Sequence, residues 1–302
     1  MLFLTIRDGD KGNSATMKQR LLKDPRTYQI LTLSGLLVFG WTARAFEIAP
    51  NHFLAIAAAA CVAQWLGSVM IAMRPDFKSA VITALSLTLL LRADTVWPLM
   101  AAATIAIGSK FMLRLGGKHV FNPANIGIVA MVLLTDAAWT TPGQWGTATW
   151  FAALLAGVGF FVTYRAARID VPLVFLGVYA ALLFGRAIWL GDPLSIPMLR
   201  LENGALVLFA FFMISDPKTT PDSAISRAVF TAGAALLAYV LTFHFYLTDG
   251  LFYALAIASV LRPAIEWLDP APRYQWGDEI LLPLFLKRPR NPRAPAQHAP
   301  AE

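Results

Sequence analysis

Long apolar runs separated by short polar gaps constrain this chain more than any other feature. Ten of them are read along the sequence, at 28–43, 53–73, 80–91, 96–113, 123–134, 148–164, 171–190, 205–214, 228–247 and 251–261. A bilayer core about 30 Å thick needs about 20 apolar helical residues to cross it. Of the 302 residues, 57% are hydrophobic and only 14% charged. Soluble domains carry about 25% charged residues. With a mean hydropathy of +0.59, the expectation is an all-α polytopic membrane protein with ten transmembrane helices. The single cysteine, Cys61, excludes a disulfide framework and any cysteine-rich zinc or iron–sulfur site. Four scattered histidines, His52, His119, His244 and His298, argue against a His-ligated metal or haem.

Orientation follows from the basic residues between runs. With ten crossings and a cytoplasmic N-terminus, 21 of the 25 Lys and Arg fall on the cytoplasmic side and 4 (Arg44, Arg92, Arg186 and Arg200) outside. Dropping one early run puts the basic loops on the wrong side. The net charge of +7 therefore reads as topology, with attraction to anionic headgroups of the lipid bilayer, and not as nucleic-acid binding. The expectation is an inner-membrane protein with both termini cytoplasmic. The stretch 1–6 is too short for a signal sequence. The Pro-, Ala- and Arg-rich tail after residue 286 is expected to be disordered, and 278–286 is a candidate interfacial segment.

Runs three, five, eight and ten are short, with 12, 12, 10 and 11 residues. Twelve helical residues reach about 18 Å, too little for an unbroken crossing. Three and eight hold the same place in successive groups of five, as do five and ten. An odd-numbered group repeats in opposite orientation, so the pattern is that of two inverted five-helix repeats. The ends of runs three and eight also match, each an apolar stretch followed by an Asp and then a Pro (Asp94 and Pro98; Asp216 and Pro221). Broken elements at membrane depth need protein or a wet cavity to satisfy their backbone. The expected organisation is an N-terminal cytoplasmic segment 1–27, a first repeat 28–134, an outer loop 135–147, a second repeat 148–268 and a cytoplasmic tail 269–302.

Two motifs add a resemblance. Gly116-Gly117-Lys118-His119-Val120-Phe121-Asn122-Pro123-Ala124-Asn125-Ile126-Gly127 resembles the Gly-rich loop and Asn-Pro-Ala segment of the RnfD/NqrB family (NQR2/RnfD/RnfE type). Phe212-Met213-Ile214-Ser215-Asp216-Pro217-Lys218-Thr219-Thr220-Pro221 resembles its second signature, a Thr/Ser-Asp-Pro-x-Thr-x-Pro turn. With run count and spacing, the resemblance covers about 28–268. Pro142-Gly143-Gln144-Trp145-Gly146 looks more like a shorter, UnbU-like branch associated with enediyne biosynthesis clusters.

The resemblance implies ten helices in two inverted halves, similar to urea transporters. It implies membrane subunits of ion-coupled electron-transport complexes as partners, and flavin as cofactor. Family members carry FMN as a phosphoester on a Thr ending a Ser-Gly-Ala-Thr type motif, often preceded by Asp, between helices five and six. The local match here is Gly146-Thr147-Ala148-Thr149, with Thr149 aligned to the acceptor and Thr147 the fallback. Ser-Gly has become Gly-Thr, and Gln144 and Trp145 stand where an acidic residue is expected. Riboflavin or another flavin bound noncovalently is the alternative, and a Thr here also suits an N-cap of the sixth helix.

The remaining candidates have two readings each. Asn122 and Pro123 suit an N-cap followed by Pro in the first turn; alternatively Asn122 and Asn125 aim amides at a flavin ring or an anion. Ser215 and Asp216, with Thr219 in the same motif, read as a cap for the turn into run nine, or as a cation or proton site at a broken helix. Lys110 and Arg186 read as snorkelling to the surface. Trp41, Trp97, Trp139, Trp145, Trp150 and Trp189 read as an aromatic belt. Gly116-Gly117 reads as a turn. There is no dinucleotide fingerprint, Walker loop or Ser-His-Asp arrangement. Any electrons passing through the chain need a bound cofactor, and NADH would not be a direct substrate. Two other readings stay open: a channel or carrier for a small polar solute, and an accessory membrane protein of a biosynthetic pathway.

Overall fold

The computed structural model describes residues 24–43 and 48–274. The expectations for 1–23, for the tail beyond 274 and for the segment 278–286 lie outside the described residues. In chain order the helices are α1 (Pro25–Ala43), α2 (Pro50–Met70), α3 (Phe77–Leu90), α4 (Val96–Met112), α5 (Pro123–Leu134), α6 (Thr149–Arg165), α7 (Asp170–Leu190), α8 (Ser195–Leu201), α9 (Gly204–Leu208), α10 (Ala224–Phe243) and α11 (Gly250–Leu268). Among the described residues the fold is mostly helical, with four very short strands. β1 (Leu91–Ala93) pairs antiparallel with β4 (Ala138–Thr140), and β2 (Arg114–Leu115) with β3 (Lys118–His119).

Local chemistry explains the ends. Pro50 and Pro123 occupy first-turn positions, where a missing N–H costs nothing. α7 stops at Gly191, whose φ of +73° supplies a left-handed cap. Asn203 caps α9 by accepting from the amides of Ala205 and Leu206. Gly116 and Gly117, at φ +57° and +81°, form the two-residue turn joining β2 to β3. Two successive positive φ values are what such a hairpin turn requires.

Among the described residues four helices (α2, α7, α10 and α11) are long and apolar enough to span a bilayer, and α8 with α9 makes a fifth candidate bent by 49°. Large apolar side chains stand exposed along them: Leu54, Val62 and Val69 on α2, Leu173 and Ile188 on α7, Val229 and Leu236 on α10. Water would not tolerate apolar surface on this scale, whereas lipid favours it. The chain is a multi-pass membrane protein.

One expectation about length needs correction. The tenth run is not a short element, because α11 has 19 residues. The apolar run ends at Leu261, but the helix continues since Glu266, one turn on from Arg262, takes its guanidinium at 3.0 Å. Pro263 sits within it. The eighth run is broken, as expected, with α8 preceding the break. The chain bends between α8 and α9, and α9 then widens into a π turn over Phe209–Met213. α3 and α5 are short, at 14 and 12 residues.

The helices pack in two groups along the chain. In the first half α2 packs on α4, α4 on α5 and α1 on α3. In the second half α7 packs on α10, α10 on α11 and α6 on α9. Across the halves α1 meets α6, and α5 meets α11. Close approach is explicit at Gly127 of α5, where a Cβ would lie 2.6 Å from the Ala102 carbonyl oxygen of α4. Small residues let apolar helices come this near.

Candidate functional site

One end of the bundle gathers the charged side chains. Arg26 meets Asp76 at 2.7 Å, and Lys78 meets Asp24 at 2.8 Å. Lys118 spends all three ammonium protons, on the Thr220 carbonyl, Asp222 and Glu266, at 2.9, 3.0 and 2.8 Å. The β2–β3 hairpin is thereby tied to the loop after α9 and to α11. Arg168, in the turn between α6 and α7, approaches Asp222 at 3.6 Å and stacks over the Tyr274 ring. Burial pulls its pKa down to about 10, and the neighbouring Arg227 adds to that.

Among these groups lies a cavity of about 470 Å³, open at the charged end. The hairpin, the N-terminus of α5 and the loop after α9 form part of its wall. One face of α2, α3 and α4 adds Gln64, Ser68, Ser79, Thr83, Ser86 and Lys110, and α1, the loop before α3 and Arg273–Tyr274 complete it. Lys110 does not snorkel to the surface. Its ammonium donates to Gln64 Oε1 at 2.7 Å and to Ser79 Oγ at 2.9 Å. Polar partners inside the bundle draw it inward.

The structure brings Asn122, Pro123 and Asp216 together on this cavity. Asn122 caps α5, its Oδ1 accepting from the Asn125 amide at 3.1 Å. Its Nδ2 donates to the Met213 carbonyl at 3.2 Å, and more weakly to Asp216 at 3.4 Å. The two motifs, about ninety residues apart, therefore meet at one amide side chain. Burial pushes the Asp216 carboxyl up. The His119 ring 4.0 Å away, the Lys218 amide and the Lys110 ammonium together outweigh that and hold it below the usual carboxylate value.

Ser215 and Thr219 stand behind the wall, both buried. The Ser215 hydroxyl donates back to the Phe211 carbonyl, and that of Thr219 to the Asp216 carbonyl. Neither these residues nor Asp216 caps α10, whose N-cap is Ser223. Asp216 instead accepts from the Lys218 amide at 2.9 Å and closes the turn 216–220. Asn125 faces away toward α11, donating to the Phe252 carbonyl at 3.0 Å. Its Oδ1 is buried without a partner.

Thr147 and Thr149 lie at the other end of α6, about 25 Å away for 17 residues at 1.5 Å each. Both are exposed. Neither is the N-cap, which is Ala148 without a side-chain bond. Nearby, Trp145 departs from the aromatic belt: it is fully buried and stacks on Phe151, their planes 7° apart. Trp97, Trp150 and Trp189 are exposed, as a belt requires.

Residues 133–273 match the NQR2, RnfD, RnfE family. The matched segment is a little under half of this chain. The matched segment contains the Ser-Asp-Pro-Lys-Thr turn and Thr149; the 116–127 motif precedes it. A subunit of the ion-translocating oxidoreductase complex of Citrobacter koseri, the one designated D, is 31% identical over 135 residues, 45% of this chain and 36% of that protein. Its counterpart in Escherichia coli O1:K1 is 33% identical over 137 residues, with the same coverage. The match thus spans just over a third of these relatives. Within this RnfD-like segment, the residues on the cavity are Asp216 and its neighbours. The first half supplies Asn122, Lys110 and the polar face of α2 and α3.

That face had a signal in the sequence. Gln64 and Ser68 are four apart, and Ser79, Thr83 and Ser86 follow helical spacing. Polar residues repeating on one side of an apolar run mark a wall that faces something other than lipid.

Asn122→Ala is expected to cost about 1–3 kcal/mol, from a lost cap and the lost buried side-chain bond to the Met213 carbonyl. Thermal unfolding in detergent reads it. Asn122→Asp keeps the cap acceptor, but sets a second carboxylate beside Asp216 and should not recover the loss.

Proposed function

We propose that this chain is an electron-relaying membrane subunit of an ion-translocating oxidoreductase complex, acting with other membrane subunits. Electron passage would be coupled to Na⁺ or H⁺ movement. The match of 133–273 to the NQR2, RnfD, RnfE family carries this reading. In it, ten helical passes form two inverted five-helix repeats in the inner membrane, with α8 and α9 as one broken pass. The recurrence of helix pairings supports the repeat: α2–α4–α5 in one half corresponds to α7–α10–α11 in the other. The charged end would face the cytoplasm, in keeping with the positive-inside rule.

No side chain here stores electrons, so a cofactor must supply that chemistry, and flavin is the group proposed. FMN would be attached as a phosphoester to Thr149. The local structure fits such a link. The Thr149 hydroxyl is accessible and has no hydrogen-bond partner among the described residues. It sits in the first turn of the 17-residue α6, where the positive end of the helix dipole favours a phosphate. Gly146, at φ +64°, turns the chain just ahead of it. Thr149 is exposed, so a ring held there would be open to a neighbouring subunit. A noncovalent flavin, such as riboflavin, is the variant of this proposal that does without the ester.

Intact-mass measurement decides. Protein produced with a flavin-attachment enzyme should carry one FMN increment, lost in Thr149→Ala and kept in Thr147→Ala. An unmodified mass removes the covalent link. If denaturation also releases no flavin, the electron-relay reading fails.

A further inference from the structure

The cavity at the charged end carries more positive charge than its own carboxylates neutralise. Its lining contains seven Lys or Arg side chains and two carboxylates, Asp76 and Asp216. Both carboxylates are engaged. Asp76 takes Arg26 at 2.7 Å, and Asp216 takes the Lys218 amide and the Asn122 side chain. Lys118 is matched by Asp222 and Glu266 behind the wall. Lys110, Arg74 and Arg114 have no carboxylate within 4.0 Å among the described residues.

Lys110 is the most telling of the three. It is mostly withdrawn from solvent, on a helix of the bundle, and both of its hydrogen-bond partners are neutral oxygens. An ammonium has three protons to donate, and the third has no acceptor among the described residues. A half-buried cation whose nearest counter-charges, Asp76 and Asp216, lie beyond ion-pair distance and are engaged with other partners is poorly compensated. A cavity beside it offers the counter-charge a place. Arg74 and Arg114 are exposed and line the same cavity, and the guanidinium fork suits phosphate oxygens. The N-terminus of the 12-residue α5 opens on it as well, through Asn122, Pro123 and Ala124, and adds the positive end of a helix dipole.

We propose that this cavity binds a phosphate-bearing anion, with Lys110 as its inner contact and Arg74 and Arg114 at its mouth. Donors from α4, from the loop before α3 and from the β2–β3 hairpin surround a tetrahedral oxyanion better than a planar carboxylate with two oxygens. The group is either a free phosphate compound or an anionic lipid headgroup entering from the membrane surface. The inference does not rest on flavin: an unmodified intact mass would leave it standing.

The full chain in zwitterionic phosphatidylcholine nanodiscs is titrated with inorganic phosphate at constant ionic strength, and heat and unfolding temperature are recorded. In the second arm, native mass spectrometry counts phosphatidylglycerol retained after reconstitution, against phosphatidylcholine. One arm should respond. A phosphate response assigns a soluble ligand, and selective phosphatidylglycerol retention assigns a headgroup. Lys110→Gln, which keeps a polar group of similar length, should weaken the responding arm about tenfold or more, the loss expected for a charge-assisted hydrogen bond. Arg114→Gln is exposed and expected to fold in any case; it should weaken the response severalfold, and it decides the matter if Lys110→Gln does not fold. Silence in both arms overturns the proposal. So does a response that chloride or acetate reproduces, or one that persists unchanged in the folded variants.

Discussion

Asp170→Ala should destabilise the protein by about 3–5 kcal/mol, the cost of leaving a buried charge without its partner. Arg227 is only 1% exposed although it lies in the first turn of α10. Its Nε donates to Asp170 at 2.7 Å and its Nη1 to the Asp222 carbonyl at 2.6 Å. Its Nη2 already has no acceptor. Removing the carboxylate therefore strands a guanidinium in a site closed to water, with Arg168 nearby adding like charge. The drop in unfolding temperature should be on the order of 10 °C. Asp170→Ala combined with Arg227→Met should recover much of the loss, since an apolar side chain of similar length has no charge to strand. If the double variant is as unstable as Asp170→Ala alone, or if that single variant unfolds like the parent, the pair does not hold α7 to α10.

Gly127→Val should cost about 3 kcal/mol, at the upper end of what overpacking usually costs. A Cβ at 127 would meet the Ala102 carbonyl oxygen at 2.6 Å and the Ala106 Cβ at 3.0 Å. The first of these is backbone and cannot turn aside, so α5 must move off α4. α5 also carries Asn122, and its displacement would loosen the contact with Met213 and Asp216. Gly157→Ala in α6 is the control, because a Cβ there meets nothing within 4 Å. That change should leave stability unchanged or raise it by up to about 1 kcal/mol through helix propensity. Thermal unfolding of both in the same detergent makes the comparison, and equal losses would sink the close-packing account.

Several elements were legible in the sequence at the level of single residues. The run 123–134 coincides with α5, because Asn122 and Pro123 announce a start and the run ends at Thr135. The basic residues expected on one side (Arg26, Lys78, Arg168 and Lys218 among them) lie at one end of the bundle, bound to one another's partners. The break at the eighth run was visible in its shortness, whereas that of the tenth run misled. Hydropathy stops at Arg262, while the helix does not stop there, because Glu266 on the same helix supplies the missing charge.

The candidate site was half legible. The motif around Asn122 and the motif around Asp216 could each be seen, but not that one amide joins them. Lys110 read as a residue reaching outward and is one that reaches inward. The sequence alone determined where apolar segments lie and how long most of them are. Each of these depends on the transfer of a continuous stretch of chain from water to lipid, which is a local property. The tertiary structure decided which way Lys110 turns, why Trp145 is buried and which distant groups share a cavity. Those depend on directional contacts between side chains remote in sequence, whose energies exist only once the helices have packed.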